Sequence, residues 1–293
     1  MIYTQNNNVH LPPLENILQG ASFQYGLTAF ETIRAYASVT NTHKFSIFAH
    51  EQHIERLFHT LGALDISIEY GKAEVEERLV QIVSEIAPHS DYLIKILVFT
   101  TENSWSSSDN FEILYIVTEN KRRISGVYPA KLLTASSRRP RPDNVSAKVK
   151  IGSNYSSNRL TQRITRYSGY DLPLFLNDLG VVSESSGAAL LVYKDGAYLT
   201  PDTLETSLDS ITLEFISEVL RHDGRPVIKK TLTVTDLYSA SALFLIGTSV
   251  EIMDISQLDH MKYDAIITNS ISKELLACLP TKHPKLSSYH KEV

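Results

Sequence analysis

Segments with helical and with strand periodicity alternate along this chain, and no fold built from one type of element accommodates that alternation. His50–Leu64 sets Ile54, Leu57, Phe58 and Leu61 at helical spacing. Ala73–Ala87 repeats the pattern with Val75, Leu79, Ile82, Val83 and Ile86, and Pro88 closes it. Leu93–Phe99 and Phe111–Val117 are β-rich apolar runs too short for helices. Ala130–Ala135 then reads as a strand and Ser153–Ser168 as a helix. Leu172–Leu176 and Val181–Glu184 flank an Asn-Asp-Leu-Gly turn, while Ala189–Lys194 and Ala197–Leu199 flank Asp195-Gly196, a strong hairpin signal. A helix starts at Ile211, with Phe215, Ile216, Val219 and Leu220 on one face and Gly224 at its C-terminal end. Ala242–Ile246 is a further strand and Tyr263–Leu276 a closing helix. Hairpins mixed with helices predict an α+β architecture rather than a doubly wound sheet.

A length of 293 residues predicts two domains. The polar stretch Thr118–Gly126 holds four charged residues and a glycine, and it is the natural linker. The expected division is a small α+β domain over 1–120, a linker over 121–127 and a larger domain over 128–293. With 43% hydrophobic and 21% charged residues the chain is of ordinary globular composition. The net charge of −5 (28 basic against 33 acidic residues) argues against a nucleic-acid partner. The basic cluster Arg138-Arg139-Pro140-Arg141 reads as an exposed loop. No apolar run reaches the roughly 18 residues of a membrane span. Met1–Asn8 has no basic or apolar leader pattern, and the single Cys278 suits a reducing compartment, so the expected location is cytoplasmic.

Several motifs can be set aside. There is no Gly-x-Gly-x-x-Gly and no Walker-type loop. His50-Glu-Gln-His53 lacks the spacing of a zinc motif and a third ligand, so it reads as a helix-surface pair and no metal is expected. Ser270-Ile-Ser-Lys273 and Ser108-Asp-Asn110 stand in the wrong order for a penicillin-binding site.

Four features make sense only together: Lys150 between a strand and a helix, Glu184 at the end of a hairpin strand, Leu208-Asp-Ser-Ile-Thr212 opening a helix, and Gly247-Thr-Ser249 ending an apolar strand. Their order resembles the class IV aminotransferases, the pyridoxal-phosphate family of branched-chain and D-amino-acid aminotransferases and 4-amino-4-deoxychorismate lyase. The family's Lys-x-Gly-Gly-Asn-Tyr is similar to Lys150-Ile-Gly-Ser-Asn-Tyr155, and its Glu-Gly-x-x-x-Asn to the segment from Glu184 to Ala189. Its Leu-x-Gly-Ile-Thr resembles Leu208–Thr212, its Tyr-Gly-x-x-x-Phe-Glu-x-x-Arg resembles Tyr25–Arg34, and its His-x-x-Arg-Leu resembles His53–Leu57. Five weak motifs in the right order, from about Gly20 to the last helix, make a strong resemblance.

The resemblance implies a two-domain fold-type IV enzyme, like D-amino-acid aminotransferase, and pyridoxal 5′-phosphate as cofactor. Lys150 would form the Schiff base, with Lys148 as the internal decoy. Glu184 would keep the ring nitrogen protonated. Arg56, the backbone amides of Ile211 and Thr212 at a helix N-terminus, and Thr248 would hold the phosphate. Tyr155 would lie by the phenolic oxygen. Thr248 and Ser249 would take the substrate carboxylate, and Tyr25 and Phe30 would line the side-chain pocket. Lys95 stands where branched-chain enzymes carry Arg; inside an apolar strand it either snorkels from an edge or faces a cavity.

Three positions depart from the family pattern: Leu213 for Arg, Ala189 for Asn, and Ser210 for Gly. The implied reaction is ping-pong transfer of an amino group from a hydrophobic L-amino acid to 2-oxoglutarate, by a homodimer acting on amino acids and 2-oxo acids. Aminodeoxychorismate lyase, using the same lysine for elimination, is the alternative, and a non-catalytic cofactor-binding homologue is the third reading.

Overall fold

The computed structural model describes residues 1–5, 11–37, 44–86, 89–120, 129–141, 143, 146–202, 206–279 and 290–293. The chain forms two units. The first comprises Met1–Lys121, Val149–Asn154 and Pro284–Val293; the second comprises Arg122–Lys148 and Tyr155–His283. The expected linker at 121–127 lies outside the described residues. The expected large domain over 128–293 needs correction, because Val149–Asn154 and the C-terminal strand His290–Glu292 group with the N-terminal unit. Backbone pairing is the reason. The Lys150 carbonyl accepts from Phe30 N–H at 3.0 Å, Gly152 N–H donates to the Thr28 carbonyl at 3.0 Å, and His290–Glu292 pairs with Phe45–Phe48.

The first unit is built on a six-stranded antiparallel sheet. Its strand order is Ile2–Thr4, Glu112–Asn120, Asp91–Phe99, Ala29–Ala37, Phe45–Phe48 and His290–Glu292. Period-2 alternation sends Ile94, Ile96 and Val98 to one face with Ile113, Tyr115 and Val117. Helices His50–Ala63 and Lys72–Ser84 bury Ile54, Leu57 and Leu61, and Val75, Leu79, Ile82 and Val83, in the same core. Lys95 and Leu97 therefore belong to the other face, with Phe30, which pairs with Leu97 in register.

The second unit carries a mixed sheet. From one edge it runs Val227–Lys230, Ala197–Pro201, Ala189–Lys194, Ala242–Gly247, Glu251–Leu258, Ala130–Arg138, Leu172–Leu176 and Val182–Ser185, with Met261–Lys262 paired to Glu251–Leu258. The pairs of Ala130–Arg138 with both of its neighbours are parallel, as is the pair at the Val227–Lys230 edge. The Asp195-Gly196 turn has φ of 52° and 80°, the left-handed pair a two-residue hairpin requires. Every residue of Ala242–Gly247 is buried, as its unbroken apolar run predicts.

Two elements differ from expectation. The helix predicted over Ser153–Ser168 is broken into Gly152–Ser156 and Arg159–Tyr167, where Asn158 N–H bonds to the Tyr155 carbonyl at 3.2 Å. Strand Ala29–Ala37 is central to its sheet, yet Glu31 and Arg34 disguise it in the sequence, and both are buried.

Candidate active site

In the first unit the site is assembled around the chain crossing at Phe30. The Lys150 peptide is held on both sides: its N–H donates to Thr60 Oγ1 at 3.1 Å, and its carbonyl accepts from Phe30. Its Nζ lies 4.8 Å from the centre of the Phe30 ring, and Lys95 Nζ lies 5.1 Å from the same centre. Lys95 is exposed on an interior strand of its sheet with its Nζ over Phe30, so it does not snorkel from a strand edge. Two ammonium groups over one aromatic ring make a cationic site whose floor is the negative face of a π system.

Below Phe30, on the helix side of the sheet, Glu31 is fully buried. Arg56 Nε donates to Oε1 at 2.6 Å and Arg56 Nη2 to Oε2 at 2.9 Å, a bidentate fork, and His53 Nδ1 meets Oε2 at 2.8 Å. Burial alone would push the Glu31 carboxyl up. The Arg56 guanidinium and the His53 imidazole outweigh it and hold the carboxyl down at about 2. Burial pushes His53 below its ordinary value, and the Arg56 and Lys150 cations act in the same direction against Glu31. Arg56, expected only as a phosphate ligand, is thus first a partner of Glu31.

An apolar cavity of about 250 Å³ opens in this unit, lined by Tyr25, Leu27, Leu64, Trp105 and Ile151 with Thr28 and Ser153. Tyr25 is exposed, held beside Gly26 in a left-handed turn (φ 71°).

The second unit gathers another group of predicted residues around Gly187, whose φ is 82°. A Cβ at Gly187 would meet the Tyr155 ring at 3.6 Å, and a Cβ at Gly247 would come within 3.3 Å of the Gly187 carbonyl. Tyr155, the Glu184–Gly187 turn and the Gly247-Thr248 turn therefore converge. Ser210 ties in the helix Ile211–His222: its Oγ lies 3.5 Å from the Ile246 carbonyl and, as N-cap, accepts from Leu213 N–H at 3.2 Å. Thr212 Oγ1 at this helix end and Ser186 Oγ are buried hydroxyls without a hydrogen-bond partner among the described residues. Thr248 is half-buried and Ser249 exposed. Lys148 Nζ is bound to Asp209 Oδ1 at 2.7 Å.

Glu184 is buried in an ion pair with Arg139, whose Nη2 lies 2.7 Å from Oε1. Arg139 also donates Nε to the Thr206 carbonyl and Nη1 to Asn158 Oδ1, both at 3.3 Å, and stacks over Phe175. The expectation of an exposed basic loop at 138–141 fails at Arg139, because a guanidinium with this many acceptors can be buried.

The family described as amino-transferase class IV matches residues 28–258. The chain belongs to the class IV aminotransferases. The chain is 28% identical over 262 residues to the "Probable branched-chain-amino-acid aminotransferase" of Aquifex aeolicus, covering 87% of this chain and 83% of that one. Its fold is similar to the branched-chain amino acid aminotransferase of Thermobaculum terrenum in its PLP form (TM-score 0.88, 20% identity, 99% and 97% of the two chains). It is also similar to the branched-chain aminotransferase of Thermoproteus uzoniensis with norvaline (TM-score 0.86, 21% identity, 99% and 98%).

A class IV aminotransferase is a transferase that works with pyridoxal 5′-phosphate, and the residues present fit that group. The orphaned hydroxyls of Thr212 and Ser186 are donors awaiting an acceptor, and the first amides of Ile211–His222 form an anion site that the Ser210 cap leaves at Ile211 and Thr212. A buried, paired Glu184 suits a protonated ring nitrogen.

Four candidate residues escaped the sequence reading. Arg139 was hidden in a basic cluster. His50 and His53, read as a helix-surface pair, are buried, His50 on Glu76 at 3.2 Å and His53 on Glu31. Glu31 was read only as part of a motif. Among the described residues no group of three or more His, Cys, Asp or Glu is placed to hold a metal ion, and no helix is long and apolar enough to cross a membrane.

Proposed function

We propose that this class IV aminotransferase moves the amino group of a hydrophobic, branched-chain-like L-amino acid to 2-oxoglutarate, with Lys150 as the residue bound to the cofactor. The observation that carries this reading is the contrast between two lysines close in sequence. Lys148 is spent in an ion pair with Asp209, whereas the Lys150 peptide is clamped at both ends and its amine lies over Phe30.

When bound, pyridoxal phosphate supplies a carbonyl for amine exchange and a ring that draws electrons from the substrate α-carbon. Glu184, held in place by Arg139 at 2.7 Å, would face the ring nitrogen and favour its protonated form. The amides of Ile211 and Thr212 and the hydroxyls of Thr212 and Thr248 would hold the phosphate, with Arg56 as its proposed cationic partner. Tyr155 orients the phenolic oxygen. The amine of Lys150 would be the base that moves the proton at the substrate α-carbon. Thr248 and Ser249 bind the substrate carboxylate. Tyr25 and Phe30, with the apolar walls at Leu27, Trp105 and Ile151, exclude water around the side chain, and Lys95 adds positive charge beside Phe30.

The enzyme is proposed to act as a cytoplasmic homodimer, read out by sedimentation. The catalytic reading is tested by borohydride trapping followed by peptide mapping, which places the label on Lys150. A label on Lys148, or none, overturns it. L-leucine with 2-oxoglutarate then yields glutamate; aminobenzoate and pyruvate from aminodeoxychorismate would instead establish the lyase.

A further inference from the structure

The helix Arg159–Tyr167 takes no part in the proposed chemistry, and its outer surface is unlike that of the other helices. Leu160, Ile164 and Tyr167 stand at i, i+4 and i+7, the spacing that elsewhere in this chain marks a core stripe, yet they are 69%, 48% and 77% exposed. Arg159, Arg163 and Arg166 repeat that spacing one residue earlier, so a row of guanidinium groups runs beside the apolar row, about 100° round the helix. The side turned to the protein is polar. Thr165 is buried, Thr161 Oγ1 meets Ser137 Oγ at 2.6 Å, and Gln162 Nε2 donates to the Asp171 carbonyl at 2.6 Å. The helix is thus inside out: hydroxyls and an amide hold it to the protein, while its leucine, isoleucine and tyrosine are left to solvent.

The charge on this face is unmet. The helix carries three arginines and no acidic residue, in a chain of net charge −5. Among the described residues none of the three has a carboxylate partner. Arg163 lies over the Tyr167 ring at 5.4 Å and donates to its hydroxyl, and Asp171, the acid on the segment that follows, accepts from Lys131 N–H at 2.8 Å. A second copy does not supply the missing anion. In an antiparallel two-fold contact centred on the apolar row, the arginines run beside their own copies; in a parallel one they run beside the Thr161 flank, which holds no acid. A protein groove that takes up a helix closes around both flanks, and here one side is already held by the protein. A flat anionic surface needs one face only, with apolar side chains to enter it and long cations to stay at its boundary.

We propose that this face docks on an anionic lipid surface. The helix lies in the plane of the interface without crossing it. Leu160, Ile164 and Tyr167 enter the headgroup boundary, and Arg159, Arg163 and Arg166 stay level with the lipid phosphates and carboxylates. Nine residues with three cations make a single weak anchor, so attachment is reversible and rises with anionic lipid content.

The test mixes the full chain, loaded with pyridoxal 5′-phosphate, with sucrose-loaded vesicles of phosphatidylcholine alone or with about one-third phosphatidylserine, and measures the fraction that sediments. Binding to the anionic vesicles exceeds that to neutral ones by at least about tenfold and falls as salt is raised. Arg159→Gln, Arg163→Gln and Arg166→Gln together bring it down to the neutral level. Leu160→Gln with Ile164→Gln leaves the charge unchanged and weakens binding about tenfold. All five side chains are exposed, so the substitutions act on the surface rather than the core. Hydrogen exchange of the unaltered protein gives an independent measure: anionic vesicles slow the amides of 159–168. Equal sedimentation with both vesicle types, undiminished binding after Leu160→Gln with Ile164→Gln, or protection confined to another segment overturns the proposal. Two other occupants leave their own signatures, and either overturns it as well. Dissociation of a lipid-free dimer by Leu160→Gln with Ile164→Gln, seen in sedimentation equilibrium, gives the face to a second copy. Binding of a synthetic helix with a leucine row beside a glutamate row, without vesicle binding, gives it to an acidic protein.

Discussion

Replacing Glu31 by glutamine turns the buried triad into a measurable pH dependence. The carboxyl ordinarily titrates at 4.5 and here at about 2. Each pH unit of that difference is about 1.4 kcal/mol, so ionised Glu31 stabilises the folded chain by about 3 kcal/mol at neutral pH. The folded value lies below the unfolded one. The stabilisation is therefore complete above about pH 5 and is lost as pH falls towards 2. By linkage it shrinks to about 1.4 kcal/mol at pH 3. The amide in Glu31→Gln cannot titrate and leaves Arg56 and His53 without their anion, so the variant is less stable by about 3 kcal/mol at pH 7, and the gap narrows in acid. Urea denaturation of both proteins at pH 7, 5, 4 and 3 measures it. Carboxylates such as Glu76 and Asp236, also held below their ordinary values, act alike in both chains and cancel in the difference. A gap that stays constant from pH 7 to 3 would refute the assignment of the acid sensitivity to Glu31.

Arg139→Met leaves Glu184 buried without its guanidinium, which costs about 3–5 kcal/mol; adding Glu184→Gln recovers at least about 1 kcal/mol, and a double-mutant cycle in urea reads the coupling. Ser210→Ala removes the cap on Leu213 N–H and lowers stability by about 1 kcal/mol in thermal unfolding, whereas Ser210→Gly, the family's residue, costs only a few tenths. In Gly152→Ala the new Cβ meets Thr28 Oγ1 at 2.5 Å. The overpacking costs about 1–3 kcal/mol and weakens cofactor retention at Lys150, and adding Thr28→Ala relieves it.

Helices were legible wherever an apolar stripe was uninterrupted. Ile211–His222 begins at the residue its pattern predicts, and Lys72–Ser84 starts one residue before and ends three residues before its expected bounds. Hairpins were legible from turn chemistry, as Asp195-Gly196 shows. The parallel neighbours of Ala130–Arg138 were not, because their pairing joins segments about 40 and 125 residues away, and no local pattern encodes which distant strand will lie alongside. The assignment of Val149–Asn154 to the first unit was hidden for the same reason, since a few backbone hydrogen bonds to Thr28 and Phe30 decide it.

The site residues that escaped share one physical property: each is a charged or titratable group buried with its partner. Residue type argued for the surface while position argued for the core, and position was right. The buried residues of His50–Ala63 are His50, His53, Ile54, Leu57, Thr60 and Leu61, one continuous stripe at helical spacing. Two histidines and a threonine standing on the core stripe of an amphipathic helix must each find a hydrogen-bond partner, or the helix loses about 1–3 kcal/mol for every group left unpaired. For two of them the partner lies on the facing strand or the segment it binds: Glu31 for His53, and the Lys150 peptide for Thr60. Polar residues at core positions of a helix therefore mark the place where a facing strand carries charge. Here that place adjoins the Lys150 peptide, whose N–H donates to Thr60.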